Sequence, residues 1–317
     1  MTTTLIHDAP DSRPSDRAPT TTTHRTADAA GPVLDFVLPA ELEAHEPLEA
    51  AGRQRDDVRL LVSSGLDEPI DTRLVFLPTH LRPGDLLVVN TSATIPAALV
   101  GVRADGETVA VHLSTPIEGA PDADGVDTWL VEVRRVVDGT TAPYGRTMAG
   151  ERIDLADGGW LKGRAAWKDS DRLTIADLHL PQPLLTYLAH HGRPIRYQHV
   201  PVPWPIASYQ TVFADRPGSA EMPSASRPFT NELVTRLVSS GVGVAPITLH
   251  TGVSSLEGHE DPYPERFEVP ATTAERVADT HHHGGRVVAI GTTVVRALES
   301  AVDADGAPTA AAGWTER

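Results

Sequence analysis

An α/β domain with a parallel-type sheet, interrupted by an inserted antiparallel β-barrel-like domain, is the fold this sequence predicts. Two observations carry that expectation. The last third of the chain alternates strand-like and helix-like segments, which requires crossover connections and a parallel sheet. Residues 95–178, in contrast, read as short alternating strands joined through Asp105-Gly106, Asp138-Gly139 and Asp157-Gly158 turns, a pattern that builds barrels or sandwiches.

Taken in order, residues 1–31 hold Thr2-Thr-Thr4, Thr20-Thr-Thr-Thr23 and prolines 10, 14 and 19 with few large apolar side chains. Such a stretch cannot repay its ordering entropy and is expected to be a disordered tail. Structure is expected to begin near Val33–Pro39, with a short helix over 40–44 opened by Pro39. Extended runs follow at Arg59–Val62, Arg73–Leu77 and Asp85–Asn90. Inside the insertion the expected strands are Ala98–Arg103, Thr108–Ser114, Thr128–Val136, Arg152–Leu155, Trp160–Trp167 and Arg172–Leu178.

After a helix over Leu184–Ala189, Thr230 is placed to cap a helix over Glu232–Ser240, and Val242–His250 reads as a buried strand. Thr272-Thr-Ala-Glu275 has capping-box spacing for a helix closing at Gly284-Gly285. Arg286–Ile290 is the next strand, and Gly291-Thr292-Thr293 opens a helix to about Val302. The expected organisation is a discontinuous α/β domain, 32–94 plus 179–317, around a barrel at 95–178.

With 40% hydrophobic and 22% charged residues the chain is an ordinary globular composition, and no apolar run nears the roughly 20 residues a membrane helix needs. Absence of cysteine removes disulfides, thiolate nucleophiles and cysteine zinc sites. The opening residues lack a secretory pattern, so a cytoplasmic protein is expected, without membrane partners and as a monomer. The formal charge of −16 repels polyanions unless a local basic patch is built against it.

Ligands of open α/β sheets bind beyond the carboxyl ends of the strands, at helix N-termini. Thr248-Leu-His-Thr-Gly252 and Gly291-Thr-Thr293, with Arg296 and Glu299 further along the same helix, occupy such positions. The loop Pro217–Thr230 adds Glu221 and Arg227; a connection that long in a compact domain tends to serve function. His281-His-His283 falls on a helix, where consecutive side chains diverge, so no metal site is expected. His259-Glu-Asp261 lacks a spaced partner histidine. No phosphate loop, dinucleotide fingerprint or nucleophile elbow occurs in a suitable context.

Several segments together resemble the S-adenosylmethionine:tRNA ribosyltransferase-isomerase family of queuosine biosynthesis. They are Phe36–Leu42 with Glu46-Pro-Leu-Glu49, Leu81-Arg-Pro-Gly-Asp-Leu-Leu-Val-Val-Asn90 with Ile95-Pro-Ala97, Tyr209–Ala214, Thr248–Gly252 and Gly291–Ser300, in the family's order from about residue 33 onward. The resemblance implies an α/β fold with an inserted barrel and a reaction with no cofactor. In it S-adenosylmethionine is consumed as ribosyl donor, an aminomethyl-deazaguanine in tRNA is the acceptor, and adenine and methionine are released.

By position, Thr248, Gly252, Gly291, Thr292, Thr293, Arg296, Glu299, Glu221 and Arg227 would bind substrate. His250 would be the general base, and Glu265, the glutamate retained from the family's Asp-His-x-Met-His-Ser-Glu motif, a second catalytic group. Three departures stand out: Pro228 where the family has histidine, Thr91–Ala98 without two of its arginines, and no closing Thr-Asn-Phe-His-Leu-Pro segment, which would remove a strand. They leave two alternatives open, a small-molecule acceptor and a non-catalytic nucleoside-binding protein.

Overall fold

The computed structural model describes residue 39 and residues 42–65, 67–118, 125–137, 139–168, 170–197, 199–253 and 262–315. The tail expected over 1–31, the segment 33–38 and His259–Asp261 lie outside the described residues. Of the helix expected over 40–44, the described residues 42–44 form no α-helical turn.

The first described strands, β1 (Arg59–Val62) and β2 (Ile70–Arg73), form an antiparallel hairpin. Leu74–His80 is a 3-10 helix, not the strand expected over Arg73–Leu77. Leu74 and Leu77 are both buried, and that spacing is one threefold turn, while Pro78 could not extend a ladder. The fully buried β3 (Leu86–Asn90) and short β4 (Ser92–Thr94) follow.

The barrel strands are β5 (Ala98–Arg103), β6 (Thr108–Glu118), β7 (Val126–Val137), β9 (Arg152–Asp154), β10 (Trp160–Ala166) and β11 (Leu173–His179), with β8 (Thr140–Pro143) as an outer hairpin arm on β7. Antiparallel pairings run β5-β6-β7-β11-β10-β9 and return from β9 to β5, closing a six-stranded barrel. Val109, Val111, Leu113, Val131 and Val133, at the period-two spacing of one strand face, belong to its core, and the residues between them are buried as well. α1 (Leu184–His191) closes one end, its Tyr187 hydroxyl donating to the Ala156 carbonyl at 2.8 Å.

The α/β part contains β12 (Arg216–Ser219), α2 (Asn231–Ser239), β13 (Gly243–Leu249), β14 (Arg266–Val269), α3 (Ala271–His282), β15 (Val287–Ala289), α4 (Thr292–Glu299) and β16 (Ala311–Trp314). Its sheet runs β15-β3-β13-β14-β16: the first three strands are parallel, and β14 and β16 extend the edge antiparallel. Leu86, Val88, Ile247, Val277 and Val294 build one core under α3 and α4. Leu87, Val89, Leu233, Leu237 and Val288 build the other under α2. Covering on both faces explains why β3 is apolar at nearly every position.

The fold is therefore the expected α/β body with a β-barrel insertion, with a mixed sheet in place of a wholly parallel one. Thr230 caps α2, accepting from the Leu233 amide at 3.1 Å. The capping box at Thr272–Glu275 does not form, because α3 starts at Ala271 behind Pro270 and the Thr273 hydroxyl donates to the Pro246 carbonyl at 2.6 Å. Among the described residues, no helix is long and apolar enough to cross a membrane.

Candidate functional site

The carboxyl ends of β3 and β13 are locked by Asn90, a buried polar residue closing an apolar run. Its side-chain amide donates to the Leu249 carbonyl at 2.8 Å, and its oxygen accepts from the Leu249 and Ser92 amides, both at 3.0 Å. Beyond β15 the chain turns through Gly291 at φ +95°, a conformation that disfavours side chains, and enters α4. The first amides of that helix, at Thr292 and Thr293, have no acceptor within it and carry its positive end.

A cleft of about 370 Å³ opens there, lined from four segments: Glu221–Ala225, Thr251–Val253, Pro262–Glu265 and Ile290–Arg296. That volume suits a small organic ligand. Arg296 donates to Glu265 at 2.6 Å and to the Tyr263 carbonyl at 2.6 Å, while its Nε, also buried, has no partner. The other Glu265 oxygen accepts from the Gly252 amide at 3.0 Å. Burial raises the Glu265 pKa, against the pull of that amide and of Arg296.

The barrel braces the opposite wall. Ser114 of β6 accepts from the Val253 amide at 3.0 Å and donates to the Tyr263 hydroxyl at 3.2 Å, and that hydroxyl donates to the Val253 carbonyl. A Cβ on Gly252 would run into both Tyr263 and Ser114, so only glycine fits between barrel and cleft. Tyr197 donates to the Glu221 carboxylate, and Thr251 donates to the Glu221 carbonyl at 2.6 Å.

Two carboxylates, one guanidinium and a helix N-terminus thus face one space. The arrangement can hold a cationic centre beside the carboxylates and polar or anionic groups on the helix amides. Among the described residues, no group of three or more His, Asp or Glu could hold a metal ion. His281 and His282 are exposed at the end of α3, where His283 contacts the Asp279 carbonyl at 2.7 Å.

Of the residues singled out from sequence, Glu221, Gly252, Glu265, Gly291, Thr292, Thr293 and Arg296 are brought together here. Four are not. Thr248 is buried with its hydroxyl 3.1 Å from Thr91. His250 packs away from the cleft with Nδ1 2.7 Å from Ser92 Oγ; period-two alternation sends both side chains off the cleft wall. Arg227 is clamped by both oxygens of Glu49, each at 2.9 Å. Glu299 is exposed at the last residue of α4, about two turns from its start.

Sequence reasoning missed Asn90, Thr251, Tyr263 and Ser114 as parts of this site. A polar residue ending an apolar strand is a signal for Asn90; Tyr263, between two prolines, offers none.

A model of the family described as "Queuosine biosynthesis protein" matches residues 33–317. The S-adenosylmethionine:tRNA ribosyltransferase-isomerase of Azoarcus sp. is 34% identical over 293 residues, covering 89% of this chain and 78% of that one. The protein of the same name from Gloeobacter violaceus is 36% identical over 298 residues, covering 89% and 76%. The crystal structure of S-adenosylmethionine tRNA ribosyltransferase from Thermotoga maritima aligns over 89% of this chain and 76% of its own at 24% identity and a TM-score of 0.39.

Proposed function

Because the chain belongs to the queuosine biosynthesis protein family, we propose that it is a ribosyltransferase-isomerase that consumes S-adenosylmethionine and modifies a 7-aminomethyl-7-deazaguanine base in tRNA. One observation supports this above the others: the Glu265–Arg296 pair, the Gly252 turn and the entry to α4 surround a single cleft. In this reading Glu221 and Glu265 face the sulfonium. Arg296 and the Thr292 and Thr293 amides take polar groups of the nucleoside or the methionine carboxylate.

The chemistry needs a base that removes a proton from the sugar carbon next to sulfur. Adenine then departs, the sugar carbon ends on the aminomethyl group, and methionine leaves. Glu265, whose pKa burial raises, is a stronger base than an ordinary carboxylate. It takes the role that sequence reasoning gave to His250. S-adenosylmethionine is a co-substrate, and no other cofactor enters. The protein works in the cytoplasm as a monomer, its α/β domain (32–94 and 179–317) holding the donor against the inserted barrel (95–178).

The test is direct. Purified protein, S-adenosylmethionine and tRNA carrying the deazaguanine are expected to yield adenine and methionine in equal amounts, with label from the ribosyl group on the tRNA. Failure to form any of these where the Azoarcus relative does so would overturn the reading. Adenine release that is independent of tRNA would replace tRNA with a smaller acceptor.

A further inference from the structure

We propose that His250, which lies outside the cleft, is a positioning residue. It anchors a one-way hydrogen-bond chain, through Ser92 and Ser219, that holds the Thr251–Gly252 turn and with it Glu221 and Glu265. This deepens the proposed function and rests on that reading for its catalytic consequence, though not for its geometry.

The contacts are close and buried. His250 Nδ1 lies 2.7 Å from Ser92 Oγ, Ser92 Oγ lies 2.6 Å from Ser219 Oγ, and Ser219 Oγ accepts from the Thr251 amide at 3.1 Å. Ser92 and Ser219 are both fully buried. Three further bonds carry the chain to the cleft. The Ala220 amide donates to the Thr251 carbonyl at 2.7 Å, the Thr251 hydroxyl to the Glu221 carbonyl at 2.6 Å, and the Gly252 amide to Glu265 at 3.0 Å.

Proton counting sets the direction. Each hydroxyl has one hydrogen to donate. The Thr251 amide can only donate, so Ser219 receives there and gives its own hydrogen to Ser92, which gives its hydrogen to His250. Every donor between Thr251 and the imidazole is then used, provided Nδ1 is the unprotonated nitrogen and the ring proton sits on Nε2. The reverse direction, with Nδ1 protonated, leaves one of the two serine hydrogens, that of Ser92 or that of Ser219, buried without an acceptor.

The surroundings favour the neutral ring. Burial first, then the Arg266 and Arg216 cations, lower the His250 pKa. The ring is also held in place: its backbone amide donates to the Arg266 carbonyl at 2.9 Å, and a Cβ on Gly218 would run into the imidazole. A histidine locked in this way cannot reach a substrate proton in the cleft, but it can fix the wall that does.

His250→Leu removes the acceptor, and His250→Asn restores an oxygen near the Nδ1 position that can neither titrate nor act as a base. We expect His250→Leu and Ser219→Ala each to lower kcat about 10- to 100-fold through misplaced carboxylates. His250→Asn should recover most of the loss, and the His250→Leu/Ser219→Ala double variant should be no worse than either single one. An Asn variant as inactive as the Leu variant would make His250 the base and overturn the proposal. So would full activity in His250→Leu. Imidazole ¹⁵N shifts and the amide resonances of Thr251 and Gly252 read the same chain without turnover. Nδ1 should titrate as an unprotonated acceptor, and both amides should move in His250→Leu and recover in His250→Asn. Unmoved amides would overturn the proposal even in an active enzyme. Moved amides in a protein that transfers no ribosyl group would leave the chain standing and remove the proposed function instead.

Discussion

Two partly buried carboxylate–arginine pairs sit at opposite ends of the central sheet, alike in distance and opposite in electrostatics. Asp85 and Arg286 meet at 2.5 Å at the amino ends of β3 and β15; Glu265 and Arg296 meet at 2.6 Å beside the cleft. Burial raises both acids. At Asp85, Arg286 and the amides of Arg82 and Arg286 outweigh burial and hold the carboxyl below its ordinary range. Glu265 has one amide and one arginine arm, too little to cancel burial, so its pKa stays raised. The difference separates a pair that is fully satisfied and fastens the sheet from one left with unused hydrogen-bonding capacity at the cleft.

The largest effect is expected where the pair is satisfied. Asp85→Ala strips the acceptor from the Arg82 and Arg286 amides and the partner from a guanidinium that is one-third exposed, and should remove about 2–3 kcal/mol of stability, as read by urea unfolding. A carboxyl depressed in the folded state contributes stability above its unfolded pKa, and that stability is lost as pH falls through the folded value. Wild type should therefore weaken in acid by more than Asp85→Ala does. A cost below about 1 kcal/mol would make this an ordinary surface pair and erase the contrast.

Glu265→Gln should behave in the opposite way. It keeps the shape and one of the two accepting oxygens but loses charge and basicity and turns an NH2 toward the Gly252 amide or Arg296, so turnover should fall about 100- to 1000-fold while stability falls by only about 1–2 kcal/mol. A carboxyl raised in the folded state contributes stability that is complete below its unfolded pKa and is lost as pH rises through the folded one. The stability of Glu265→Gln relative to wild type should accordingly rise with pH from the acid side, which calorimetry between pH 4 and 7 would resolve. Unchanged turnover would remove Glu265 from the chemistry.

How much of this was legible depended on whether the signal was local. Burial on both faces of β3 and the Asp-Gly turns of the barrel are properties of short windows, and they predicted the body and its insertion. β14 and β16 were not predicted, because Arg266–Val269 and Ala311–Trp314 are short and become strands through each other and β13. The entry to α4 could be read because helix amides point along the axis whatever the side chains do. Which face of β13 meets the cleft depends on register against β3, and a one-residue choice moves every side chain. That is why the sequence places Thr248 and His250 at the cleft while the structure sets them against Thr91 and Ser92. Arg227 looked like a ligand contact because its partner, Glu49, lies far away in the sequence.

A smaller effect is expected at the turn beside the cleft pair. Gly291 holds φ +95°, and a Cβ there would stand 2.9 Å from the Ala225 side chain across the cleft. Gly291→Ala should cost about 2 kcal/mol in backbone strain and weaken S-adenosylmethionine binding in calorimetry, since both walls must shift. Unaltered binding would mean that the helix entry does not meet the ligand, and the contrast would then rest on Glu265 alone.

Thr273 tests whether the two ends are independent. It is a buried residue of the first turn of α3, and its hydroxyl donates to the carbonyl of Pro246 in mid-β13, between the Asp85 and Glu265 pairs. Thr273→Ala removes one neutral hydrogen bond, so the expected loss is about 1 kcal/mol of stability. Because α3 starts behind Pro270 without a threonine cap, no helix-end penalty adds to it. Turnover should not change, and combining Thr273→Ala with Asp85→Ala should give additive losses, as expected for separated sites. A fall in turnover, or a double variant far from the sum, would show that strain in the middle of β13 reaches the cleft and that the two pairs are coupled parts of one element.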